Sequence, residues 1–154
     1  MIKTTIQEKQ GKGLALFANE HIAKGTIVFF FGNKDTKVIT LEEYVNLVHQ
    51  GDRNAIRTGC RITKDSFVIY NSDKPNPCEY INHSFSPSLL YYYGMCIASR
   101  DIEIGDELTL DYSYIVSDEA FESFVDCETG KAIKGISYNT YDKKSIEQLK
   151  ELIP

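Results

Sequence analysis

Residues 80–114 read YINHSFSPSLLYYYGMCIASRDIEIGDELTLDYSY. The stretch opens on an Asn82-His83-Ser84 turn, runs through three consecutive tyrosines and closes on Asp111-Tyr112-Ser113-Tyr114. Asn and His set a hydrogen-bond donor and an acceptor close together, which suits the fixing of a polar ligand. Taken alone, the tripeptide is any polar turn and Tyr112 is a core tyrosine ending a strand. What lifts them is their company: Tyr80-Ile81 before, Pro87 after, and the closing DYSY about 30 residues on.

Working outward, Gly11-Lys12-Gly13 lies between two expected strands, the alternating Ile2, Thr4, Ile6 and the apolar Leu14 to Ala18. Glycine lets a backbone approach a ligand closely, and the amides beside it can receive a carboxylate. The pair by itself marks only a turn. It is no dinucleotide fingerprint, since neither a third glycine nor a following helix appears.

Together these motifs resemble the SET domain of protein lysine methyltransferases. The resemblance covers about residues 9 to 115, with a looser match through Ile136. It implies a mostly β, β-clip fold of several short-stranded sheets, with a C-terminal pseudoknot and few short helices. It divides the chain into a SET domain (residues 1–115) and a C-terminal post-SET-like segment (116–154). It implies S-adenosyl-L-methionine as methyl donor, bound at Gly11, Lys12, Gly13, Leu14, Asn82 and His83. The family's E-L-T-x-x-Y falls on Glu107-Leu108-Thr109-Leu110-Asp111-Tyr112, which makes Tyr112 the catalytic side chain. Phe31, Tyr91 and Tyr114 are the implied lining of a substrate channel.

The chemistry accounts for these residue types. A lysine amine has a pKa near 10.4 and must lose its proton before its lone pair attacks a sulfonium methyl. An apolar channel and a nearby positive sulfonium both depress that pKa. A tyrosine hydroxyl, ordinarily titrating near 10, orients the neutral amine without ionising, so catalysis is positioning and electrostatics. An aromatic wall adds apolar contact and cation–π attraction for the lysine stem. In a continuous strand Tyr91 and Tyr93 share one face and Tyr92 points away; cross-strand packing alone would also use such tyrosines.

The family pattern is broken in places. Many members carry Cys after the Asn-His-Ser turn and a Cys-rich tail that together bind zinc. Here Phe85 fills the first position and the tail keeps only Cys127, so no bound zinc is expected. Phe121, Phe124, Tyr138 or Tyr141 are then candidates to cover the adenine and complete the channel. Ser88 stands where Asn is frequent, which removes one supporting hydrogen bond from the pattern.

Elsewhere, Ala18-x-x-x-Ile22-x-x-Gly25 recurs as Ala98-x-x-x-Ile102-x-x-Gly105, each copy an Ile under a glycine turn that launches a strand. Strands are expected at Thr26–Phe31, Asp65–Tyr70, Leu89–Ser99 and Glu107–Tyr112, a rigid turn at Lys74-Pro75-Asn76-Pro77, and loop at Gly51–Arg61. Thr40 and Glu43 form a capping box before Leu41, Tyr44, Val45 and Val48, with Gly51 as terminator. A second short helix is expected with Ser145 and Gln148 as cap and Ile146, Leu149 and Ile153 on one face.

The 154 residues suit one core. At 42% hydrophobic and 25% charged, the composition is that of an ordinary globular protein. No apolar run nears the roughly 20 residues of a membrane span, and Met1–Gln10 shows no secretory signal. An intracellular, cytoplasmic or nuclear protein is expected, monomeric or homodimeric. The net charge of -5 argues against nucleic acid and fits a basic partner such as a histone tail. Cys60, Cys78, Cys96 and Cys127 form no C-x-x-C pair and read as free thiols. The rival to an enzyme is a catalytically inactive SET-like module that binds peptides or partners.

Overall fold

The computed structural model describes residues 2–31, 36–70, 76–118 and 124–152. Strands β1 (Thr4–Lys9) and β2 (Gly13–Ala18) form a hairpin in register from Thr4 opposite Ala18 to Lys9 opposite Gly13. β3 (Ile27–Phe30) precedes β4 (Thr36–Thr40), α1 (Leu41–His49), α2 (Arg53–Thr58), β5 (Cys60–Arg61) and β6 (Ser66–Tyr70). Then come β7 (Asn82–His83), β8 (Leu89–Tyr92), β9 (Met95–Ala98), β10 (Thr109–Leu110), β11 (Phe124–Val125), β12 (Ala132–Ile133) and α3 (Tyr138–Lys150). They assemble into small sheets: β3-β9-β8, β4-β6-β5, β11-β12, and a parallel pair of β7 with β10. No helix among the described residues is long and apolar enough to cross a membrane.

The two Ala-Ile-Gly copies pair with each other. Ile22 and Ile102 exchange backbone hydrogen bonds, both 2.9 Å, and both are buried. The Gly25 amide donates to the Ala98 carbonyl and the Gly105 amide to that of Ala18. Both glycines have φ near +85, at 83 and 90, where a side chain is strained. This reciprocal clasp holds the β1-β2 hairpin against the segment entering β10, and so fixes Gly13 relative to Tyr112.

Local signals explain α1. The Thr40–Glu43 capping box is present, Tyr44 and Val48 are buried, and Gly51 follows at φ 73. Tyr44 stacks on Phe67 at 4.0 Å in a core of its own with Ile39, Val48, Ala55 and Ile69. Gly59 passes so close to Tyr44 that an added Cβ would lie 2.3 Å from the ring, so the chain can cross there only without a side chain.

Several expectations fail for local reasons. The span read as loop holds α2, because the Asp52 side chain accepts from the Ala55 amide and buries Ala55 and Thr58. The expected strand from Leu89 to Ser99 folds back at Tyr93-Gly94, both left-handed at φ 45 and 85. Beyond β10, Asp111 accepts from the Ser113 amide and winds Tyr112–Tyr114 into a 3-10 turn. Ser145 caps nothing: α3 starts seven residues earlier, Ser145 is buried mid-helix, and Ile146 faces outward at 40% exposure. Lys74, Pro75, Phe121 and Ile153 lie outside the described residues, while Asn76 and Pro77 open a capped 3-10 turn.

The tail shares the main core. Tyr141 is fully buried with Leu16, Tyr91, Ile102 and Tyr114, and its hydroxyl accepts the Tyr93 amide at 2.8 Å. Arg61, 2% exposed, donates to the Ile136 carbonyl and pairs with Asp118. At Gly135 a Cβ would meet the backbone of Ser117 and Asp118 at 2.5 to 2.7 Å, so two chain segments touch there.

Candidate functional site

Gly11 and Gly13 sit at the β1-β2 turn with φ 81 and 77, and open space lies where their Cβ atoms would be. Between them, the Lys12 ammonium is nearly enclosed, its side chain 6% exposed. It pairs with Glu128 at 2.9 Å and Glu107 at 3.8 Å, and reaches the His83 carbonyl at 3.4 Å. Burial pulls its pKa down, but the Glu128 hydrogen bond and the charges of Glu107 and Glu128 outweigh that and raise it. Glu107 is the hub: it also takes Lys9 at 2.5 Å and the Asn82 side-chain amide at 3.1 Å. That amide donates to the Leu14 carbonyl as well, at 3.3 Å, while the Leu14 side chain is 51% exposed.

The β7-β10 ladder brings His83 against the chain leading to Tyr112. The Tyr112 amide donates to His83 Nδ1 at 3.1 Å, which fixes the neutral tautomer with its proton on Nε2. Nε2 is buried with no protein partner. Burial lowers the imidazole pKa, only partly opposed by Asp111 and Asp126. The unfolded chain therefore binds more protons than the folded one between the two pKa values, and stability falls as pH drops below about 6.5. We expect stability to decline from pH 7.5 to 5.5 by no more than about 1.4 kcal/mol per pH unit, read as a falling melting temperature. The decline should be flatter in His83→Asn; an equal slope in both would assign it elsewhere.

The Tyr112 hydroxyl donates to the Ile81 carbonyl at 2.7 Å. Burial pushes its pKa well above 10, so it stays protonated. Tyr112 lies between two cavities. The first, about 170 Å³, is walled by Gly11, Lys12, Asn82, His83 and the β11-β12 hairpin. The second, about 200 Å³, is walled by Phe31, Tyr70, Ile81, Leu110 and the α2 end, with Cys60 and Cys78. Burial holds the Cys78 thiol up at about 11, so that wall is uncharged there. Tyr112 and Phe124 belong to both walls, their rings edge-to-face at 5.8 Å.

The structure thus gathers Gly11, Lys12, Asn82, His83 and Tyr112, and puts Phe31 on the second cavity. Tyr91 and Tyr114 are not on that wall. They are core residues at 3% and 9% exposure, and Tyr91 spends its hydroxyl on the Arg61 carbonyl. Tyr91 is buried from β8, and Tyr114 from the 3-10 turn that Asp111 caps. Of the tail aromatics, Phe124 reaches the site, Tyr138 bonds Tyr93, and Tyr141 is in the core. Ser88 carries its position differently, exchanging hydrogen bonds with Thr109 and donating to the Glu107 carbonyl. Sequence reasoning missed the ion cluster around Glu107 and the α2 wall; an acid three residues before the Leu110-Asp111-Tyr112 run was the available signal.

Residues 13–113 match the model of the SET domain. The chain belongs to the SET-domain family. The SET match takes in Gly13, Asn82, His83 and Tyr112 and leaves Gly11, Lys12 and the tail outside it. Among solved structures, the methyltransferase domain of human histone-lysine N-methyltransferase SETMAR matches with a TM-score of 0.58 at 22% identity. The alignment covers 73% of this chain and 45% of that one, so this chain spans less than half the matched structure. At that identity the likeness speaks for the SET fold. No curated protein matches. Among the described residues, no three His, Cys, Asp or Glu side chains cluster as a metal site.

Proposed function

We propose that this SET-domain protein transfers a methyl group from S-adenosylmethionine to a lysine side chain of a basic protein, a histone tail being the leading class. The observation that carries the reading is Tyr112 standing as a shared wall between one cavity lined by Lys12, Asn82, His83 and Asp126 and another walled mainly by Phe31, Tyr70, Ile81 and Leu110. The first cavity suits the methyl donor. It has open approach at Gly11, a buried unpartnered N–H on His83, and both charge signs on its wall at Lys12 and Asp126 for a zwitterionic methionyl end. When bound, S-adenosylmethionine supplies an electrophilic methyl on a positive sulfur.

The chain's own residues do the rest. The second cavity takes a lysine stem, being larger than the roughly 150 Å³ that holds benzene. Its walls strip water from the ammonium and favour the neutral amine. Tyr112, protonated and anchored on Ile81, fixes where that amine sits. The net charge of -5 favours encounter with basic tails.

The test is incubation with methyl-labelled S-adenosylmethionine and a panel of basic proteins, histones included, followed by mass spectrometry. Methyl-lysine is the expected product. Calorimetric binding of the donor without transfer to any protein would support the silent partner-binding module instead.

A further inference from the structure

The cavity walled by Phe31, Tyr70 and Ile81 has a pair of oppositely charged side chains on its lining. There Glu79 and Arg57 both belong to its wall and pair at 2.8 Å. The two partners differ sharply in setting. The Glu79 side chain is 9% exposed; Arg57, in the last turn of α2, is 64% exposed. Glu79 Oε1 is committed to the Asn76 amide at 3.1 Å as half of a capping box, while Oε2 takes the Arg57 guanidinium. A carboxylate this far out of water needs a cation, and its cation reaches it from solvent. Pairs with so exposed a partner are weakly held, because water competes for the guanidinium. The position is also informative. Glu79 precedes by two residues Ile81, whose carbonyl anchors the Tyr112 hydroxyl, a span of at most about 7 Å of chain.

Resting on the methyltransferase reading above, we propose that Glu79 selects substrates carrying a basic residue one or two positions from the target lysine, the incoming cation displacing Arg57. One or two residues of extended peptide, about 3.3 Å each, fall within that upper limit. A substrate guanidinium delivered with a bound lysine pays less ordering entropy than a free one, so it competes effectively with the exposed Arg57. Arg57 then acts as a stand-in that keeps the carboxylate paired until substrate arrives.

The experiment uses two synthetic peptides that differ only in Arg or Gln beside the lysine. Binding is read by calorimetry in the presence of S-adenosylhomocysteine, and methyl transfer is read separately. The wild type should bind the Arg peptide about tenfold more tightly, as a charge-assisted hydrogen bond to a buried carboxylate allows. Glu79→Gln, which retains a capping-box residue, should bind both peptides alike. Arg57→Gln should bind the Arg peptide more tightly still. Equal wild-type affinities, discrimination that survives Glu79→Gln, or weakened Arg-peptide binding in Arg57→Gln would each overturn the assignment. Discriminating binding without methyl transfer would leave Glu79 as selector and remove the enzyme reading alone.

Discussion

Tyr112→Phe should lower kcat by about 10²- to 10³-fold while S-adenosylmethionine affinity stays close to wild type. The argument rests on what the hydroxyl does. It is held by the Ile81 carbonyl at 2.7 Å and kept protonated by burial. Phenylalanine keeps the ring, its edge contact with Phe124 and the backbone bond to His83, so the cavity at Lys12 and His83 is undisturbed. What disappears is a hydroxyl fixed on the wall that the two cavities share. Losing such a positioned group in a water-poor site costs far more in the transition state than in the ground state. Stopped-time assays with labelled donor give kcat, and calorimetry gives donor affinity. Equal turnover in the variant would remove Tyr112 from the chemistry. A matched loss of donor binding would make it a cofactor-pocket residue.

Tyr141→Ala is expected to cost about 3 to 5 kcal/mol of folding free energy, the range for deleting a fully buried aromatic side chain. Tyr141 has ring contacts to Tyr91, Tyr93, Tyr114 and Tyr138 and lies under the Arg61 guanidinium. Its hydroxyl is the partner of the Tyr93 amide, so Tyr141→Phe should itself cost about 1 kcal/mol by removing a part-buried hydrogen bond. Urea unfolding checks both. One cooperative transition shifted by these amounts is the expectation, since the tail contributes to the same core as β2 and β8. Near-wild-type stability of the Ala variant would make α3 an appendage. The consequence reaches function, because the β11-β12 hairpin that walls the smaller cavity directly precedes α3 in the chain.

What could be read in advance was local or motif-bound. Thr40 and Glu43 announce α1 because a capping box is complete within four residues. Gly11, Gly13, Asn82, His83 and Tyr112 could be read together because their spacing carries a family pattern. The rest depended on contacts distant in sequence. α2 is polar, and its two buried residues, Ala55 and Thr58, give no apolar stripe. Tyr91 and Tyr114 fall on channel positions of the family pattern, yet β8 and the 3-10 turn capped by Asp111 bury them in the core and neither lines the second cavity. Lys12, Glu107 and Glu128 meet across more than 90 positions, which no window along the chain can register. In α3 the burial of Tyr141 and Ser145, rather than Ile146, is chosen by the Tyr93 amide and by Tyr91 and Tyr114 waiting on the body.

The most direct measurement is a crystal structure with S-adenosylhomocysteine bound. The account predicts the nucleoside between the Asn82-His83 bend and the β11-β12 hairpin, with the sulfur directed toward Tyr112 and the Phe31–Tyr70 cavity left free on the far side. A ligand seated in the Phe31–Tyr70 cavity, or a sulfur remote from Tyr112, would contradict it.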